Sequence, residues 1–230
     1  MSERLPQDGF GDDLHRGARM LLSCLPAGGA AVELFNRLLA PPIQRRRDAW
    51  LNHLADRVAK FEQEGRVKVE DLQQNDEFIS TVMQASQAAV RNHQQEKLGA
   101  LRNAVLNTAL GQAPEDSKRE MFLGFVDTLT VWHLRVLSFL SAPGAGTDVQ
   151  KVNMDLTTGH HAAVIAALQN AFPDLREEGE FVQKIVGDLD REGLILGDVT
   201  LRTVRGLEGM RNLTNLGDEF LRFISEPKGG

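Results

Sequence analysis

The residues that could do chemistry are few and far apart. Six histidines, one cysteine and several acidic pairs are spread over 230 residues. His160 and His161 are adjacent, and neighbouring side chains on a helix project about 100° apart, so the two do not converge on one ion. The positions one turn further on are Val164 and Ile165, which supply no ligand. His133 follows Trp132 and reads as a partly buried packing residue, while His53 and His93 stand alone. Cys24 lacks a histidine that would activate it as a nucleophile. Glu177-Glu178 and the Asp188/Asp190 pair have no Lys or His to complete an acid–base group and read as solvated faces. Gly144-Ala145-Gly146 opens like a dinucleotide fingerprint but follows a helix instead of a strand. The expectation is a protein that is not an enzyme, with no catalytic residue, no metal ligand and no cofactor.

Two groups of arginines remain as contact candidates. Arg45, Arg46 and Arg47 precede the helix that carries Trp50 and could touch an anionic surface, with the leucines upstream lying on a bilayer. Lipid-binding clusters hold about four to eight basic residues, and here three are followed by Asp48, which favours a solvated helix start. Arg202, Arg205 and Arg211 are the second group and could touch DNA or a partner.

Positioning these residues falls to helices. Ala30 to Ala40, with Leu34, Leu38 and Leu39, predicts a short helix stopped by Pro41-Pro42. A second opens at Pro42, and Trp50, Leu54, Val58 and Phe61 fall on one face of it. Helical spacing continues over 69–110, with a break at the polar run Asn92 to Lys97. Pro114 suits the first turn of the next helix, which carries Phe122, Phe125 and Val126. Thr130 is placed to cap another, and Ala162 to Phe172 and Phe181 to Leu189 follow. Leu194-Ile195-Leu196 and the alternating Val199 to Val204 predict two short strands around a turn, before a last helix capped by Thr214.

Composition narrows the setting. Apolar residues are 42% and charged residues 25%, as in ordinary globular proteins, and the net charge of −6 gives no general attraction to nucleic acid. A lone cysteine excludes an intramolecular disulfide and fits a reducing compartment. The apolar run before Cys24 is only Met20 to Leu22, short of the roughly 7–15 residues of a signal-peptide core. No stretch reaches the ~18 apolar residues of a membrane span. The expected location is the cytoplasm.

The order helix, helix, helix ending in a Gly-Leu-Ile strand, hairpin, helix resembles a winged helix over about 129–225. "DLDREGLI" (188–195) looks like its third helix entering the first wing strand, and "LTNLGDEFLRFI" (213–224) like its closing helix. The whole chain is similar to small bacterial proteins of the abortive-infection alpha type, through "EKLGALRNAVLNTAL" (96–110) and "LTVWHLRVLSFL" (129–140). That resemblance implies a binding role in phage defence or stress response and brings no catalytic residues.

A winged helix that reads DNA surrounds its recognition helix with Lys and Arg. Here Glu178 to Gly193 holds Glu178, Glu180, Asp188, Asp190 and Glu192 against Lys184 and Arg191. Residues 129–230 hold 10 Lys and Arg against 14 Asp and Glu, a net of −4. The expected fold is mainly α: a tail at 1–18, a helical region at 19–128 and a winged-helix-like region with a small β-hairpin at 129–226. The expected function is a non-enzymatic interaction protein that contacts a protein partner, with a homodimer as the inferred assembly. The alternatives are a DNA-binding transcriptional regulator using Arg202, Arg205 and Arg211, and a membrane-acting effector using the N-terminal segment.

Overall fold

The computed structural model describes residues 28–142, 160–196 and 212–228, and among these the chain is mainly helical. Helix α1 is Gly28–Gln63, α2 Val69–Leu72, α3 Asp76–Arg91, α4 Gln95–Ala109 and α5 Asp116–Thr128. Then come α6 Val131–Ser141, α7 His160–Ala171, a 3-10 turn at Pro173–Leu175, α8 Gly179–Arg191 and α9 Asn215–Ile224. Backbone contacts divide the chain into two units, 1–49 and 50–230, and the boundary falls inside α1.

Local chemistry sets most of the helix boundaries. The Asn75 side chain accepts from Phe78 N–H at 3.0 Å and starts α3. Glu115 caps α5 by accepting from the backbone N–H of Ser117 and Lys118, so Pro114 lies ahead of the helix and not in its first turn. Thr214 starts α9 by accepting from Gly217 N–H at 3.0 Å. Gly193 ends α8 at φ 69°, the left-handed conformation that glycine adopts without steric cost.

One further expectation is corrected. Pro41 and Pro42 do not stop a helix: α1 continues through both. Each proline removes an N–H, leaving the carbonyls of Arg37 and Leu38 without their usual donors four residues on. Both prolines are exposed, so water can satisfy those carbonyls, whereas in a core they would stay unpaired. The expected β-hairpin is not found as strands among the described residues. Ile195 forms an isolated antiparallel bridge with Leu213, and the partner expected for it, Val199 to Val204, lies outside the described residues. Beyond Leu213, Thr214 turns the chain directly into α9, with Leu196 N–H donating to Asn212 O at 2.9 Å and Thr214 Oγ1 to Gly193 O at 2.6 Å.

Within the unit 50–230, Trp50, Leu54 and Phe61 of α1 are buried, as their spacing predicts, and Trp50 Nε1 donates to Leu98 O at 3.2 Å. Ala85, Ala88 and Ala89 of α3 are all buried, small enough to let α4 approach closely. Phe122, Phe125, Phe220 and Phe223 bring α5 and α9 together, with ring centroids 5.3–6.2 Å apart in the contacting pairs. No single helix among the described residues is long and apolar enough to cross a membrane.

Candidate functional site

The most chemically distinctive cluster joins α6 to α8. Thr130 stands just before α6, and His133 is the third residue of its first turn. Its Nδ1 accepts from the Thr130 backbone N–H at 3.2 Å and lies 2.8 Å from Thr130 Oγ1. The imidazole thus takes the place that Glu or Gln fills in a capping box. An Nδ1 that accepts carries no proton, so the proton of the neutral ring is on Nε2. Nε2 is buried and faces Asp188 Oδ2 at 3.5 Å, too long for a good hydrogen bond.

Asp188 gathers charge from its own helix. Its Oδ1 accepts from Lys184 one turn earlier and from Arg191 at 2.8 Å. Lys184 above all, with help from His133 and Arg191, holds the Asp188 carboxyl below the usual carboxylate range. Burial pushes His133 below the ordinary histidine value, against the pull of Asp188 and with the push of Lys184 and Lys97. Both cations of the candidate recognition helix are therefore engaged by a carboxylate on that same helix.

Two further side chains hold helix ends. Lys97 is 5% exposed, and its ammonium donates to Asp127 O at 2.8 Å near the end of α5, where the helix dipole favours a cation. Burial lowers its pKa, against the attraction of Asp127. Asn107 is 3% exposed, and its amide donates to the carbonyls of Phe223 at 2.7 Å and Ser225 at 2.9 Å, at the end of α9. Asn103 donates to Ile224 O at 3.0 Å, so α4 clamps the last turn of α9.

The unit 1–49 carries a different kind of feature. Leu34 and Leu38 are each 60% exposed and Leu39 41%, whereas Trp50, Leu54 and Phe61 further along the same helix are nearly excluded from solvent. Residues 34, 38 and 42 follow one another at four-residue spacing along one side of α1, with Pro42 also exposed. Arg45, Arg46 and Arg47 come next, and all three are exposed.

The sequence-derived candidates fare unevenly. Arg45, Arg46 and Arg47 lie together at the end of the exposed leucine segment. Arg202, Arg205 and Arg211 lie outside the described residues, as do the 1–18 tail, Cys24 and Gly144-Ala145-Gly146. His160 and His161 open α7, and among the described residues no group of three His, Cys, Asp or Glu side chains is placed to hold a metal. His133 and Asp188, read from sequence as packing and as a solvated face, come together instead. The signals were present: Thr130-x-x-His133 has capping-box spacing, and Asp188 borders the buried Ile185 and Leu189 on α8.

No family model, curated protein or solved structure matches the chain.

Proposed function

We propose that this chain is a non-enzymatic interaction protein that pairs with a second copy of itself through the segment of α1 before Trp50. The observation that carries the reading is the exposure of Leu34, Leu38 and Leu39 on a continuous helix. Contiguous apolar side chains on a helix face favour burial against a partner, at roughly 25 cal/mol per Å² removed from water. Charge favours a second copy as that partner. At about 1.5 Å per residue, Glu33 and Arg45 lie about 9 Å to either side of Leu39. Two such helices crossing antiparallel at Leu39 bring the acidic Glu33 end of each level with the basic 45–47 end of the other, a match along the axis.

The abortive-infection alpha resemblance supports a role in phage defence or stress response, and the winged-helix-like region serves protein contact in this reading. Asp188 engages both Lys184 and Arg191, which leaves α8 poorly suited to phosphate and counts against the regulator alternative.

A charge swap tests the pairing. Glu33→Arg alone and Arg45→Glu alone each weaken self-association, and the two together restore it. Each exposed charge contact contributes about 0.2–1 kcal/mol, so the two symmetric contacts shift the dimer constant by about 2- to 30-fold. Failure of the combined variant to recover would rule out the antiparallel pairing.

A further inference from the structure

We propose that Thr130 and His133 form a pH-sensitive joint at the start of α6, beside Asp188 of α8, made while the imidazole is neutral and broken when it takes up a proton. The geometry leaves a second proton only one place to go. With Nδ1 accepting from Thr130 N–H and the ring proton on Nε2, protonation adds hydrogen to Nδ1 and sets two donors against each other. Thr130 Oγ1, 2.8 Å away, can rotate to accept the new proton, but the Thr130 backbone N–H then loses its partner.

The surroundings oppose the charge as well. His133 is 5% exposed, so a cation there is poorly solvated. It stands in the first turn of α6, at the positive end of the helix dipole. Lys97 from α4 and Lys184 from α8 both repel an imidazolium. The attractive group is Asp188, whose Oδ2 faces Nε2 at 3.5 Å while its Oδ1 engages Lys184 and Arg191, which offset part of that attraction. In the unfolded chain the same imidazole titrates near the ordinary value of about 6.5. The unfolded state therefore binds the proton more readily than the folded one. Stability from this joint is present above about pH 6.5 and is lost as pH falls through the lower folded value.

The variant that isolates the effect is His133→Gln, because Gln fills the same capping position and has no proton to gain. Urea unfolding midpoints of wild type and His133→Gln are compared at pH 7.5 and pH 5.5. The wild-type midpoint falls more on acidification than that of the variant. An equal fall in both would overturn the proposal. If the variant does not fold, imidazole NMR of the wild type decides. The buried ring titrates below 6.5, with its Thr130 amide exchanging faster once it is charged. A midpoint at or above 6.5, or an amide indifferent to it, would overturn the joint.

Discussion

At the residue scale, buried polar side chains in this protein end helices. Asn107 sits among apolar neighbours on α4 and directs its amide at three carbonyls of the 222–225 segment, which have no further turn of α9 to pair with. Replacing it with Leu keeps the branching pattern, in a somewhat larger side chain, and removes the donors. The expected loss is about 1–3 kcal/mol, the cost of leaving buried acceptors unpaired. Asn107→Asp should be worse at pH 7, since it turns a donor into a charged acceptor facing carbonyls at the negative end of a helix. Chemical denaturation of the two variants checks the order; an aspartate variant as stable as the leucine variant would show that the amide does not cap α9. Sequence could not reveal this role, because the carbonyls Asn107 meets lie 115 to 118 positions away. His133 differs, in that half of its environment is local. Its contact with Thr130 could be read from spacing, and only Asp188 needed the fold.

Among the elements, apolar periodicity identified most helices because each buries one stripe. Trp50, Leu54 and Phe61, or Val182, Ile185, Val186 and Leu189, are buried as their spacing requires. Reading failed where the backbone decides. Pro41-Pro42 reads as a stop, yet α1 runs on because that stretch is exposed and the freed carbonyls reach water. Beside the Ile195–Leu213 bridge, α9 approaches the preceding backbone closely. Gly217 is the point of approach: a Cβ there would stand 2.0 Å from Leu194 O. Gly217→Ala must therefore push α9 away from the Ile195–Leu213 bridge, and we expect a loss of about 1–3 kcal/mol, the usual cost of overpacking. Gly187, inside α8, has open space where its Cβ would be. Gly187→Ala should stabilise the protein by about 0.5–1 kcal/mol through helix propensity alone. Thermal unfolding separates the two. Equal effects would mean that the Gly217 contact does not govern how α9 seats.

For the whole molecule, burial and exposure fall on different parts of the chain. The residues forming the hydrophobic core, among those described, run from Trp50 to Ile224, while the leucines of 34–39 remain in solvent. The sequence displayed both leucines and arginines of α1 but could not show which of them are exposed, since a core stripe and a contact stripe have the same period. The self-association reading depends on that difference, and the decisive measurement is the mass of the full chain in solution by light scattering across a concentration series. The expected result is a species of twice 25.4 kDa that falls to a single chain when Leu34 and Leu38 are both replaced by Glu. The fold should be unaffected by that pair of changes, because both side chains are already exposed. A single-chain mass at every concentration, or a dimer indifferent to the two glutamates, would contradict pairing through α1.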